Sequence, residues 1–125
     1  MHKELLLIDD DPDELDLLRE TLKTFSPPVR CTWCPNPEEA TTLLKTFIPD
    51  LIFVDYNMPK INGLECIALV KQIPAVKNIP VVFYSTTIDE AVCRKAIAAG
   101  AIECLQKTSF EKVAERLREL LQYHS

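Results

Sequence analysis

The sequence predicts a doubly wound α/β fold, a (βα)5 three-layer sandwich around one parallel sheet. Two observations carry this. Five short apolar runs alternate with five segments of helical period from end to end. No apolar run is followed directly by another. Each strand therefore returns to the sheet through a helix, the pattern of parallel pairing, right-handed crossovers and helices on both faces.

The elements follow in order. ELLLID (4–9) reads as a buried strand. The segment 12–25 puts Leu15, Leu18, Leu22 and Phe25 on one helical face. Its start, DPDE, has Asp11 at the N-cap, Pro12 at the first helical position and Glu14 three residues after the cap, as in a capping box with Asp as the cap. VRCTWC (29–34) alternates in character, as an edge strand does. PEEATTLLKTF (37–47) turns Ala40, Leu43, Leu44 and Phe47 inward, behind a second cap-and-proline start at Asn36. DLIFVD (50–55) is the most apolar run and is expected at the centre of the sheet. A third helix covers 63–73, and Pro74 and Pro80 bracket a loop. PVVFYS (80–85) is the fourth strand. The fourth helix, 89–100, ends at Gly100, a candidate left-handed C-terminal cap. IECLQ (102–106) is a weaker fifth strand. The last helix, 109–121, turns Phe110, Val113, Leu117, Leu120 and Leu121 inward.

The 125 residues fit a single domain, 1–125, and are 47% hydrophobic, enough for a real core. The net charge of −5, with no basic cluster, argues against nucleic acid and anionic membrane as partners. The first apolar run is too short for a signal peptide or a membrane span, so a cytoplasmic location is expected. Five cysteines at irregular spacing imply no disulfide framework, and Cys31-x-x-Cys34 lacks the second pair or histidine of a zinc site. All five are read as small buried thiols.

In such a sheet, ligands bind beyond the carboxyl ends of the strands. Strand one ends in Asp9 and Asp10, strand three in Asp55, strand four in Ser85 and Thr86, and Lys107 follows strand five. Asp11 is assigned to capping rather than to a ligand. Three carboxylates without histidine or thiolate suit a hard cation, Mg²⁺ or Mn²⁺. A cation, a hydroxyl and a lysine facing one another suit a phosphoryl group. The chain has no Gly-rich phosphate loop, so no nucleotide is expected.

This constellation resembles the receiver domain of two-component response regulators. The resemblance rests on IDDDPDE (8–14), VDYNMPKINGLE (54–65), PVVFYST (80–86), AAGA (98–101) and Lys107, and covers essentially the whole chain. It implies a flavodoxin-like sheet of order 2-1-3-4-5 and a stand-alone receiver without an effector domain. It implies that Asp55 accepts a phosphoryl group from a phosphohistidine of a histidine kinase or histidine phosphotransfer protein. Asp10, Asp55 and the backbone carbonyl of Asn57 would ligate the metal, with Asp9 acting mainly through water. Ser85, beside Thr86, would turn toward the phosphoryl group, Lys107 would pair with it, and Pro59 and Gly63 would shape the loop after strand three. The protein would not be a conventional enzyme, though it would catalyse its own phosphorylation and slow dephosphorylation. It would signal by docking to, or relaying to, a partner protein, as a monomer or a weak phosphorylation-dependent dimer.

Two positions depart from the family pattern. Thr108 stands where a proline usually follows the lysine, and a cis bond before a non-proline residue costs ~2.5–4 kcal/mol. Cys104 stands where an aromatic switch residue usually sits, so output is expected not to use a swinging ring there. The alternative within the family is a docking module with impaired phosphorylation switching. An aspartyl-phosphate hydrolase would need a second acid two residues after Asp55, where Asn57 stands. A flavin carrier would need a phosphate loop free of acids after strand one.

Overall fold

Period-two alternation along the strands sorts the apolar residues into two layers, and helices close over both. The computed structural model describes residues 3–56, 62–86, 89–107 and 110–122. The strands are β1 (Lys3–Ile8), β2 (Val29–Cys34), β3 (Leu51–Asp55), β4 (Val81–Ser85) and β5 (Glu103–Gln106). The helices are α1 (Pro12–Leu22), α2 (Pro37–Leu43), α3 (Gly63–Lys71), α4 (Glu90–Ala99) and α5 (Phe110–Leu120). All strand pairs are parallel, in the order β2-β1-β3-β4-β5, with β3 central and every one of its residues buried. The expected fold class and strand order are those observed.

One layer packs Leu6, Ile8, Ile52, Val54, Val81 and Phe83 under α2, α3 and α4 through Ala40, Ile67, Val70 and Ala96. The other packs Leu5, Leu7, Leu51, Phe53, Val82 and Tyr84 under α1 and α5 through Leu18, Leu22, Val113 and Leu117. Adjacent strand residues thus serve opposite layers, as alternation requires. Leu15 and Leu120 are only partly buried at the margin of the second layer. The side chain of Phe110 lies outside the described residues.

Helix limits differ from the expected ones for local reasons. The helix expected over 12–25 ends at Leu22, and Phe25 stays buried through a turn in which its N–H donates to Leu22 O at 3.1 Å. Pro27 and Pro28 follow, and a residue before proline is pushed out of helical geometry. The helix expected over 37–47 stops at Leu43 and continues as turns. Part of the loop between Pro74 and Pro80 is a 3-10 turn, Pro74–Val76. Gly100 has φ 126°, the cap conformation expected of it. Lys71 lies against Gly100, where an added Cβ would come 2.7 Å from its Cγ, and its ammonium donates to Lys77 O and Ile79 O.

The expectation of five buried thiols is corrected by a disulfide between Cys93 on α4 and Cys104 on β5. The two residues are eleven apart in sequence and face each other across a helix-to-strand return, a proximity that spacing alone does not reveal. Cys31, Cys34 and Cys66 are free and buried. Cys31 and Cys34 cannot pair, because an offset of three along a strand sends them to opposite layers. Among the described residues, no helix is long and apolar enough to cross a membrane.

Candidate functional site

The parallel sheet brings the ends of β1, β3, β4 and β5 to one edge, and the polar residues converge there. The site is an open cavity of about 520 Å³ lined by Asp9, Asp10, Asp11, Pro12, Glu14, Asp55, Thr86 and Lys107. Asp9 follows β1 and is 1% exposed, and Asp55 ends β3 at 6%. Asp10 is exposed at the rim. Carboxylate oxygens of Asp9, Asp10 and Asp55 all lie within 4.8 Å of one another.

Lys107 closes the group from the far side. Its Nζ donates to Asp9 Oδ2 and to Asp55 Oδ1, each at 3.1 Å. Burial works against its charge, but Asp9 and Asp55 outweigh it and hold the ammonium above its ordinary pKa. The backbone fixes the residue as well, since Lys107 N–H donates to Ser85 O at 2.8 Å. The ammonium also lies 5.0 Å from the centre of the Tyr84 ring. Burial, reinforced by Glu14, pushes the Tyr84 hydroxyl up to about 12, so it stays neutral.

Asp9 is held at both ends. Its carbonyl accepts from Trp33 Nε1 at 2.6 Å, and its Oδ1 accepts from Asp11 N–H at 3.0 Å. Burial nevertheless raises its pKa, because the lowering by the Asp11 N–H and Lys107 is smaller than the cost of desolvation. Asp11 caps α1 as expected, accepting from Asp13 N–H at 2.9 Å. The reciprocal half of the capping box is absent. The Asp11 N–H goes to Asp9, and Glu14 reaches Lys107 instead, Oε1 to Nζ 3.4 Å.

The structure therefore brings together Asp9, Asp10, Asp55 and Lys107. It puts the hydroxyl-bearing end of β4 beside them, with Thr86 on the cavity wall and Ser85 just behind it, 2% exposed. Gly63 N–H donates to Tyr56 O at 3.0 Å, pinning the start of α3 beneath β3. A Cβ at Gly63 would come 2.5 Å from Asp55 O and 2.9 Å from Tyr56 Cα, so glycine is required there by close approach of backbone. Asn57, Pro59 and Thr108 lie outside the described residues. Sequence reasoning missed Glu14, Tyr84 and Trp33 as parts of the site. Glu14 was absorbed by its capping position. Tyr84 and Trp33 read as strand core, and nothing in their spacing marks a polar role.

The donor set is all oxygen, clustered and partly dry, with a lysine as the only cation among the described residues that line the cavity. That chemistry fits a hard divalent cation beside a dianionic group.

Comparison with known proteins agrees with this geometry. Residues 5–121 match the family described as response regulator receiver domain. An uncharacterized 14.6 kDa protein of Leptolyngbya boryana is 34% identical over 104 residues, covering 83% of this chain and 78% of that protein. Protein RcaC of Microchaete diplosiphon is 33% identical over 103 residues, covering 82% of this chain but only 16% of RcaC. The chain thus spans a small part of some relatives and most of another. Among solved structures, the phosphorylated cyanobacterial phytochrome response regulator RcpA superposes with a TM-score of 0.87 at 26% identity, covering 100% of this chain and 97% of that one. The Mn²⁺-bound response regulator Rcp1 gives 0.85 at 27% identity, covering 98% and 97%. With the family match spanning nearly all of the sheet and its helices, the chain belongs to the receiver domains of two-component response regulators.

Proposed function

We propose that this receiver takes a phosphoryl group from a phosphohistidine, on a histidine kinase or a histidine phosphotransfer protein, onto the carboxylate of Asp55. The observation that carries this is the pairing of Asp55 with Lys107 at 3.1 Å, inside a cluster that also holds Asp9 and Asp10. In the step, an Asp55 oxygen attacks phosphorus, the N–P bond to the imidazole breaks, and an acyl phosphate forms. A carboxylate is a weak nucleophile, so charge on the transferring group must be neutralised. Lys107 supplies one positive charge from a site already fixed by the Ser85 carbonyl. Mg²⁺ or Mn²⁺, held by Asp10, Asp55 and the Asn57 carbonyl with Asp9 acting mainly through water, would supply charge neutralisation on the other side. Thr86, on the cavity wall, and Ser85 offer hydroxyls for a phosphoryl oxygen. Water attack on the same acyl phosphate returns Asp55 to its resting state.

Two structural neighbours support the reading by what they are, a phosphorylated RcpA and a Mn²⁺-bound Rcp1. Output would then be read by a protein partner, through docking or onward transfer. The acidic balance of the chain, −5, suits neither nucleic acid nor an anionic membrane for that role.

The test is intact mass after treatment with phosphoramidate or acetyl phosphate and Mg²⁺. Wild type should gain one phosphoryl group and Asp55→Asn none. An Asp55→Asn protein that gains it at the wild-type rate sinks the assignment.

A further inference from the structure

The disulfide joins two elements that are otherwise weakly held. Among the residues of α4 only Ala96 is fully buried, and β5 is an edge strand with no buried residue. Elements with so few buried groups open locally at low cost. Alternation along β5 turns Glu103 toward α5, where it pairs with Arg116, and Cys104 toward α4, where it meets Cys93. The bond closes the whole return from α4 through Gly100 and Ala101 into β5. It therefore removes freedom that the packing there leaves.

The five cysteines also divide by access. Cys93 and Cys104 are half-buried, less shielded than the other three. Cys31, Cys34 and Cys66 are buried. Desolvation pushes their thiols up to about 12, 11 and 12, which suppresses the reactive thiolate.

We propose that Cys93 and Cys104 form a reversible dithiol–disulfide site that exchanges with small disulfides and dithiols and ties α4 to β5 when oxidised. Starting from the dithiol, the thiolate of one cysteine attacks a small disulfide RSSR, forming a mixed disulfide and releasing RS⁻, which takes up the proton. The second thiolate attacks the protein sulfur of that mixed disulfide and expels the second RS⁻. Two electrons pass from the cysteine pair to RSSR, giving the protein disulfide and two RSH. A dithiol reverses the sequence. Where the surroundings keep thiols reduced, such a pair belongs with redox-sensing cysteines rather than structural ones. The proposal stands apart from phosphorylation, and neither arm of its test depends on it.

The experiment uses the full chain, reduced and then equilibrated in glutathione buffers of graded ratio, acid-quenched, and alkylated after unfolding. Peptide mapping should find Cys93 linked to Cys104 in a single two-electron transition, while Cys31, Cys34 and Cys66 remain alkylated throughout. Cys104→Ser should instead accumulate a glutathione mixed disulfide at Cys93. Hydrogen exchange should then find the amides of 90–99 exchanging about tenfold more slowly in the oxidised protein than in the reduced one, with β1 and β3 unchanged. The idea is overturned by five alkylated cysteines at every ratio, by a bond that forms elsewhere, or by identical exchange of α4 in the two states.

Discussion

Glu14 Oε1 lies 3.4 Å from Lys107 Nζ, which makes this helix-start carboxylate a third acidic partner of the lysine, after Asp9 and Asp55. In the proposed transfer, the incoming phosphoryl group would use the same ammonium. Glu14 competes for it and repels the anion. The exchange Glu14→Gln keeps the shape and removes the charge, so phosphorylation by acetyl phosphate should speed up about threefold, the scale of a screened ion pair. Time courses of intact mass measure it, and a slower rate would mean that Glu14 holds Lys107 in place rather than diverting it.

The division of labour among the three consecutive aspartates predicts opposite responses at neighbouring positions. Asp10 contributes to the carboxylate cluster, whereas Asp11 caps α1. Asp10→Asn should raise the melting temperature in chelator by ~3–6 °C, about 1 kcal/mol for a domain of this size, and weaken the rise on adding Mg²⁺. Asp11→Asn should do neither, since Asn caps as well as Asp. Thermal melts with and without Mg²⁺ decide. A lost Mg²⁺ response in Asp11→Asn, with Asp10→Asn normal, inverts the assignment.

Asp9 gives the metal-free protein a defined pH dependence. Its folded-state pKa is raised above the unfolded value near 3.8, chiefly by burial. The folded state therefore binds this proton more tightly than the unfolded one. The resulting stability is fully present below the unfolded value and is lost as pH rises through the folded one. Measured by denaturant titration without divalent ions from about pH 4 to about pH 7, wild type should lose stability relative to Asp9→Asn as pH increases. A difference that stays flat, or grows in favour of wild type, contradicts the burial argument.

Gly63→Ala should destabilise the fold by ~1–3 kcal/mol through overpacking. The added methyl meets the Asp55 carbonyl and the Tyr56 Cα, both backbone atoms that cannot turn aside. The strain falls on the residue proposed to be phosphorylated, so the rate with acetyl phosphate should drop as well. Denaturation and phosphorylation kinetics together test this. A fully stable variant would place the cause of this glycine elsewhere.

Much of this was legible before the fold was known, because alternation and helical period are local. The strands, the two layers and the convergence of Asp9, Asp10, Asp55 and Lys107 follow from where each apolar run stops. What escaped depends on contacts between distant residues. Trp33 donates to the Asp9 carbonyl from twenty-four residues away, and its sequence environment is that of any edge-strand aromatic. Glu14 had a sufficient local explanation that hid its reach to Lys107. The Cys93–Cys104 bond needed the return of the chain through Gly100, and the short helix limits needed the turns before Pro27 and after Leu43.

The opposite orientation of Cys31 and Cys34 has a use of its own. One thiol lies in the layer beneath α1 and α5, and the other, with Cys66, in the layer beneath α2, α3 and α4. Each half of the interior thus carries a natural reporter, with no label to engineer. Pulses of a thiol reagent under mild denaturant, read cysteine by cysteine, would tell whether the two halves of this sandwich come apart together or one after the other.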